Sequence, residues 1–259
     1  MLLADKVAVV TGVGPGLGRA AALALAREGA AVGLVARTES RLAEVAAEIE
    51  AAGGRALAVP GNVARPEDCA RVAETVAGAF GGIDVLVNSA FRGDRSEPFD
   101  AADLGLWHKV FDVNFWGPLQ LTQACVPSMT ERGGGSVVMI ASMSARLIRP
   151  NDGGYSTSKG ALLTATKSLA MDLASRKIRV NAVVPGWIWG PNVQTYVDWQ
   201  VRERAVTPEE VVAEITEHIP LGEIPPQEDV AQAIVFFASG MSRMITGQAL
   251  DVNGGEWFG

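Results

Sequence analysis

Short apolar runs alternate along the chain with longer, alanine-rich segments whose apolar residues recur every three or four positions. Runs that are apolar on both faces predict buried strands, and the longer periodic segments predict helices. The predicted strands are 6–12, 31–37, 55–63, 83–90, 135–142, 178–186 and a last one near 248–252. The predicted helices are 17–30, 39–54, 66–82, 153–173 and two with looser bounds, near 103–130 and 227–239, whereas 187–224 is predicted to be irregular.

This alternation of strands and helices predicts an α/β fold with a parallel sheet that is covered on both faces. Right-handed crossovers then give a doubly wound, Rossmann-type sheet of about seven strands, with the ligand site at the carboxyl ends of the strands. No linker rich in Pro, Gly or Ser divides the chain. Residues 1–259 are therefore predicted to form a single dinucleotide-binding and catalytic domain.

Composition narrows the function classes. Hydrophobic residues make up 48% and charged residues 20%, which excludes a globally disordered chain. The net charge of -7 and the lack of a dense Lys/Arg cluster argue against a nucleic-acid partner. The start of the sequence does not resemble a signal peptide, and no apolar run suits a membrane span. Cys69 and Cys125 lack disulfide or metal-site spacing, so a reducing, cytoplasmic location and no metal site are expected.

The segment "VVTGVGPGLGRA" places glycines 12, 14, 16 and 18 directly between the first predicted strand and the first predicted helix. Glycines in such a turn let the backbone approach a pyrophosphate, and the helix N-terminus adds positive potential. The turn therefore predicts a dinucleotide site.

The end of the second predicted strand bears on which dinucleotide binds. An NAD site usually places an acidic residue here to bind the ribose 2′-hydroxyl. This chain has Ala36 and Arg37 instead, with Arg41 one turn later. A guanidinium can bind a 2′-phosphate through two hydrogen bonds, so NADP(H) is predicted in preference to NAD(H).

In "GGYSTSKGALLTATKSLAMDL", Tyr155 and Lys159 are four residues apart and share one face of the predicted helix. Beside a nicotinamide cofactor, a tyrosine can donate the proton that carbonyl reduction requires. Its usual pKa of about 10 must fall for it to act as a base. A neighbouring ammonium favours the phenolate, so Lys159 is expected to lower the pKa of Tyr155.

These motifs together resemble the classical short-chain dehydrogenase/reductase family over essentially the whole chain. The matching residues are Thr11, Gly12, Gly16, Gly18, Asn88, Ala90, Asn114, Ser142, Tyr155, Lys159, Pro185 and Gly186. The resemblance implies that Ser142 orients the substrate oxygen, Tyr155 is the acid/base and Lys159 holds the nicotinamide ribose. It also implies that Asn114 positions a proton-relay water. The full predicted cofactor set is Thr11, Gly12, Gly14, Gly16, Leu17, Gly18, Arg37, Asn62, Val63, Asn88, Ala90, Tyr155, Lys159, Pro185, Gly186 and Ile188.

Proline 118 gives a physical reason for the relay. It has no N–H to bond the carbonyl of Asn114 four residues earlier, so that carbonyl is predicted to be available to a water. Four positions depart from the family pattern: Asn62, Ser89, Phe91 and Gly190. The motif after the fourth strand is "NSAF", with Ser89 in place of an asparagine and Phe91 in place of a glycine, so Phe91 is predicted either to narrow the cleft mouth or to stack on the substrate. Asn62 replaces a common aspartate, and Gly190 replaces the usual threonine near the carboxamide.

By the same resemblance, residues 187–224 correspond to the substrate lid. Its aromatic residues predict a bulky, apolar alcohol or ketone as substrate, although packing of the lid or a subunit contact would explain them equally well. The predicted substrate site comprises Phe91, Met143, Trp187, Trp189, Tyr196 and Trp199.

Two other functions remain open. A 3-oxoacyl thioester reductase would require basic residues near the cleft, which four arginines can supply: Arg92, Arg95, Arg146 and Arg149. A nucleotide-sensing regulator without catalysis is disfavoured, since it has no need for the intact set of Ser142, Tyr155 and Lys159. The resemblance and the frequency of closed symmetry predict a homotetramer.

Overall fold

Seven parallel strands form one sheet in the order β3-β2-β1-β4-β5-β6-β7 in a computed structural model that describes residues 1–259. The strands are β1 (Val7–Thr11), β2 (Ala31–Ala36), β3 (Arg55–Pro60), β4 (Val85–Asn88), β5 (Gly135–Ile140), β6 (Ile178–Pro185) and β7 (Ala249–Val252). Helices cover both faces, so the predicted Rossmann-type fold is confirmed.

Nine α-helices connect the strands. They are α1 (Leu17–Arg27), α2 (Glu39–Ala51), α3 (Pro66–Phe80), α4 (Leu104–Phe111), α5 (Gly117–Glu131), α6 (Gly153–Leu173), α7 (Pro191–Arg204), α8 (Pro208–Thr216) and α9 (Gln227–Ala238). One buried cluster packs α1, α2 and α9 against one face of the sheet, and a second packs α3, α5 and α6 against the other. No helix has both the length and the apolar character needed to cross a bilayer.

Residues 187–224 are not irregular, because they contain α7 and α8. Each helix begins with a proline in its first turn, where the missing N–H costs nothing. Thr207 and Glu210 close a capping box at the start of α8. The helices bury a small separate cluster that includes Val193, Val197 and Val211. The sequence pattern missed α7 because only two of its fourteen residues are buried.

The predicted helix near 103–130 is divided by a π-helical turn at Asp112–Trp116, which separates α4 from α5. Such turns are uncommon and are frequently found at functional sites. The turn contains Asn114, whose side chain is fully buried. The extra residue in this turn places Asn114 against the loop that follows β4.

From β1 the chain adds strands first on one side of the sheet, as β2 and β3, and then on the other side, from β4 onward. The crossover connections therefore diverge between β1 and β4, which leaves a crevice at the carboxyl ends of these two parallel strands. Thr11 holds this junction together, since its Oγ1 accepts N–H groups from Ser89 at 3.0 Å and Ala90 at 3.1 Å. The crevice is continuous with the cavity described below.

Candidate active site

A single large cavity of about 1030 Å³ follows the carboxyl edge of the sheet. Its walls come from the glycine turn after β1, the end of β2, the loops after β3, β4, β5 and β6, and helices α6 and α7. Its volume is large enough for a dinucleotide and a substrate to bind side by side. This is the edge at which doubly wound sheets bind ligands.

The glycine turn requires residues without a Cβ. Gly12 has a φ of +71°, and a Cβ there would lie 2.7 Å from the backbone of Ala90. A Cβ on Gly18 would collide with the carbonyl of Gly12. By contrast, a Cβ on Gly16 would meet nothing within 4 Å, because this residue borders the open cavity just before α1 begins. The turn therefore offers exposed backbone and a helix N-terminus to an anion.

Two arginines stand at the end of the cavity that is formed by β2 and α2. Arg37 and Arg41 are exposed, line the cavity and form no salt bridge. Asn62 and Val63 line the same end, and Asn62 is oriented by a hydrogen bond from the Ala64 N–H to its Oδ1. No carboxylate lines this end of the cavity.

Tyr155 and Lys159 lie one turn apart on α6, and Ser142 follows the end of β5. The Ser142 hydroxyl accepts the Ser144 N–H at 3.1 Å and lies close enough to the Tyr155 phenol to influence its pKa. The Lys159 ammonium donates to the Ile140 carbonyl at 2.7 Å, and its Nζ lies 5.7 Å from the centroid of the Tyr155 ring. The structure thus brings all three side chains to one wall of the cavity.

The pKa values differ from the sequence-based expectation. Burial raises the pKa of Tyr155 to about 12, and the neighbouring Ser142 hydroxyl acts in the opposite direction. Burial lowers the pKa of Lys159 to about 7. The expected lowering of the tyrosine pKa by Lys159 is therefore not seen in this structure, because burial disfavours both the phenolate and the ammonium.

Asn114 supports the cavity from behind and does not line it. Its Oδ1 accepts the Arg92 N–H at 2.7 Å, and its Nδ2 donates to the Arg92 carbonyl at 2.9 Å. The same Nδ2 donates to Ser158 Oγ at 3.1 Å. The side chain of Asn114 therefore fastens the loop after β4 to helix α6.

Three other predicted residues are also absent from the cavity wall: Thr11, Asn88 and Trp189. The Thr11 hydroxyl accepts a backbone N–H from the loop after β4, and the Asn88 side chain donates to Thr122 Oγ1 in the core at 3.3 Å. Trp189 instead pairs with the chain before α9, where its N–H donates to the Pro225 carbonyl. Trp189 therefore does not line the cavity in this structure, and its substrate contact stays a prediction.

The remaining predicted substrate residues do share one end of the cavity: Phe91, Met143, Trp187, Tyr196 and Trp199. The ring centroids of Trp187 and Tyr196 are 5.2 Å apart, and those of Tyr196 and Trp199 are 6.1 Å apart. The aromatic rings therefore form one wall, contributed by the loop after β6 and by α7.

Polar groups also line this cavity. Sequence reasoning placed Arg92 and Arg149 near the cleft but missed the two carboxylates, Asp94 and Asp152, that line the cavity with them. Arg149 is neutralised, since it lies 3.0 Å from Glu256 and its guanidinium stacks 5.1 Å from the Trp187 ring centroid. The substrate end of the cavity is thus mixed in character and not purely apolar. The polar sequence of the loop after β4 could have indicated polar groups in the cavity. The residues that hold this loop in place, such as Gly154, are far away in sequence.

The pair Gly153-Gly154 at the start of α6 was also missed. The Gly154 N–H donates to Asp94 Oδ2 at 2.7 Å, and the indole of Trp107 packs over both glycines. A Cβ at either position would collide with Trp107. These glycines allow the loop after β4 and helix α4 to pack closely against the helix turn that carries Tyr155.

Comparisons with known proteins agree with this geometry. A family model described as enoyl-(acyl carrier protein) reductase matches residues 12–256. An uncharacterized oxidoreductase of Mycobacterium tuberculosis is 38% identical over 99% of this chain and 94% of its own length. The 3-oxoacyl-(acyl-carrier-protein) reductase of Thermotoga maritima is 35% identical over 98% of this chain and 99% of its own.

Two solved structures are also similar. The L-sorbose reductase of Gluconobacter frateurii, complexed with NADPH and L-sorbose, has a TM-score of 0.94 and 33% identity over 99% of this chain and 98% of its own. A 7α-hydroxysteroid dehydrogenase complexed with NADH and 7-oxo glycochenodeoxycholic acid has a TM-score of 0.89 and 30% identity over 98% and 94%. The chain belongs to the classical short-chain dehydrogenase/reductase family.

Within this short-chain dehydrogenase/reductase, the departure at Gly190 has a structural explanation. A Cβ at this position would collide with the side-chain amide of Gln227, which lines the cavity and donates to the Trp189 carbonyl at 3.2 Å. Gln227 therefore fills the space beside residue 190. At the other departure, Phe91 is half-exposed and lines the cavity.

The tight packing at the start of α6 is testable with Gly154→Ala. The new methyl group would collide with the Asp94 carboxylate and Trp107, so we expect a destabilisation of about 1–3 kcal/mol. Urea unfolding measures this change. The control is Gly160→Ala on the same helix, where a Cβ meets nothing within 4 Å. That variant should be more stable by about 0.5–1 kcal/mol. Equal effects of the two substitutions would contradict the packing described here.

Proposed function

We propose that this short-chain dehydrogenase/reductase interconverts a carbonyl compound and a secondary alcohol, with NADP(H) preferred over NAD(H). The observation that carries the proposal is the placement of Ser142, Tyr155 and Lys159 on one wall of the cavity that also contains the glycine turn. A nucleotide-sensing regulator has no use for this proton-transfer set. The geometry therefore favours catalysis over nucleotide sensing.

The cavity residues fit a nicotinamide dinucleotide. The bare backbone of the glycine turn suits a pyrophosphate, and the unpaired Arg37 and Arg41 suit a 2′-phosphate. Lys159 and the loop after β6, with Pro185, Gly186 and Ile188, line the part of the cavity next to Tyr155. When bound, the cofactor supplies or accepts the hydride.

The chain itself supplies the proton transfer. The Tyr155 phenol donates a proton to the oxygen of a ketone, or accepts one from an alcohol as phenolate. The Ser142 hydroxyl, which lies beside this phenol, donates its one hydrogen bond to the substrate oxygen and so orients it. With a raised pKa, Tyr155 is protonated at neutral pH, which suits the direction of carbonyl reduction.

The wall formed by Trp187, Tyr196 and Trp199 supports a substrate with a bulky apolar body, and we propose residues 187–224 as its lid. The alternative, a 3-oxoacyl thioester reductase, is favoured by the similarity to the Thermotoga maritima enzyme. The arginines give it weaker support. Arg146 is paired with Asp251 at 2.6 Å and Arg149 with Glu256, so neither is free to bind an acidic carrier.

We further propose that the protein is cytoplasmic, since both cysteines are free and buried, as a reducing compartment allows.

The experiment that tests the function is turnover of a panel of apolar ketones and alcohols with NADPH, NADH and their oxidised forms. A short acyl thioester such as acetoacetyl-CoA in the same panel tests the alternative.

Tyr155→Phe should reduce kcat by at least about a thousandfold and leave cofactor affinity nearly unchanged. The ring still packs, and only the transferable proton is lost. Steady-state kinetics and NADPH titration measure the two effects. Tyr196→Phe removes the other phenol of the chain and serves as the control, with its effect expected mainly on KM. Activity of Tyr155→Phe within tenfold of wild type would refute the role.

Arg37→Ala should lower the preference for NADPH over NADH about ten- to a hundredfold. Charge-assisted bonds to a 2′-phosphate are worth about 1–3 kcal/mol at such an exposed site. The readout is the ratio of kcat/KM for the two cofactors. Arg176→Ala, which removes an exposed arginine at the opposite edge of the sheet, should leave that ratio unchanged. A wild-type preference for NADH would show that the interpretation of Arg37 is wrong.

We propose a homotetramer with two-fold axes. Apolar side chains are exposed on the outer face of α6 and around β7, an edge strand: Met171, Leu250 and Phe258. Size-exclusion chromatography with light scattering should give a mass about four times that of the chain, which is 27.1 kDa. A monomer at micromolar concentration would contradict the proposal.

A further inference from the structure

Arg92 lies in the loop after β4, and both its backbone N–H and its backbone carbonyl are hydrogen-bonded to one side chain. Its N–H and its carbonyl are both bonded by the Asn114 side chain, at 2.7 Å and 2.9 Å. The same Asn114 amide donates to Ser158, the residue before Lys159. The Arg92 backbone is therefore held at a fixed position beside α6.

A second anchor lies two residues later. Asp94 accepts the N–H of Gly154, which directly precedes Tyr155. The short segment 92–94 is thus bonded to α6 on either side of the turn that carries the proposed acid/base. The Arg92 backbone is consequently held in place, and its side chain extends from there into the cavity that Tyr155 also lines.

The guanidinium of Arg92 has no partner in the protein. It lines the cavity and forms no salt bridge, and its Nε is buried without a hydrogen bond. Buried donors are nearly always bonded in folded proteins, so an orphan in a cavity wall indicates a missing acceptor. Arg149, the other arginine at this end, differs because Glu256 and Trp187 already engage it.

Nearby carboxylates do not fill this need. Asp94 accepts the N–H groups of Gly154 and Arg95, and Asp152 accepts the Ser156 hydroxyl at 3.0 Å. Arg92 is therefore the charged group at this end of the cavity that is available to a ligand.

We propose that Arg92 binds a carboxylate of the substrate, so that the substrate class is a hydroxy acid or keto acid with a bulky apolar body. The apolar body would rest against the aromatic wall of Trp187, Tyr196 and Trp199. A guanidinium binds a carboxylate through two parallel hydrogen bonds, which orients the ligand as well as attracting it. This assignment rests on the proposed function of the same site and adds the charge of its substrate.

The experiment compares matched ligands in the NADP(H)-loaded enzyme. A panel of aryl and alicyclic ketones is prepared, each as a carboxylate and as the corresponding carboxamide, for example 4-acetylbenzoate and 4-acetylbenzamide. Calorimetry measures the affinity of each, and kcat/KM is measured separately. For the best-bound pair, wild type should favour the carboxylate by about ten- to a hundredfold.

Arg92→Gln should abolish this preference while keeping the affinity for the carboxamide within about threefold, because only the charge-assisted bonds are lost. Arg92→Lys should restore part of it. The matched control is Arg95→Gln, which removes an equal charge from the same loop but outside the cavity, on a residue whose side chain is 70% exposed. It should keep the preference.

The outcomes separate this inference from the proposed function. Turnover of carboxamides with no carboxylate preference in any pair would overturn the role of Arg92 and leave the oxidoreductase proposal standing. Carboxylate-selective binding that Arg92→Gln removes, without turnover of any ketone or alcohol, would support Arg92 and contradict catalysis. A preference that survives in Arg92→Gln, or that Arg95→Gln removes equally, would also overturn the assignment.

Discussion

The hydrogen bond from the buried Lys159 ammonium to the Ile140 carbonyl is the interaction on which the candidate site depends. A buried cation is costly unless it is bonded, and this carbonyl at the end of β5 provides the acceptor. The bond joins α6 directly to the end of β5. It therefore sets Tyr155, one turn earlier, beside Ser142, which follows the same strand.

A second set of bonds holds α6 from the opposite side. The π-helical turn carries Asn114 into contact with both Arg92 and Ser158, while Asp94 meets the helix N-terminus at Gly154. Each of these bonds joins segments that are distant in sequence. Because the loop after β4 is bonded at both ends, the substrate side of the cavity is shaped by backbone geometry more than by loose side chains.

The electrostatics of the cavity differ from those of the whole chain. The protein carries a net charge of -7, yet unpaired arginines line both ends of the cavity: Arg37 and Arg41 at one, Arg92 at the other. An acidic surface around a locally basic cleft favours small anions at the cleft alone. This arrangement suits a phosphorylated cofactor and an anionic substrate in the same enzyme.

The sequence by itself determined the fold class, the glycine turn and the spacing of Tyr155 and Lys159. These features depend on local periodicity and on residues that are close in the chain. Only the tertiary structure decided that α7 and α8 are helical, that Trp189 pairs with the chain before α9, that the tyrosine pKa is raised and that Arg92 is unpaired. Those properties depend on burial and on hydrogen bonds between distant segments. A one-dimensional pattern contains no record of which polar groups have found partners.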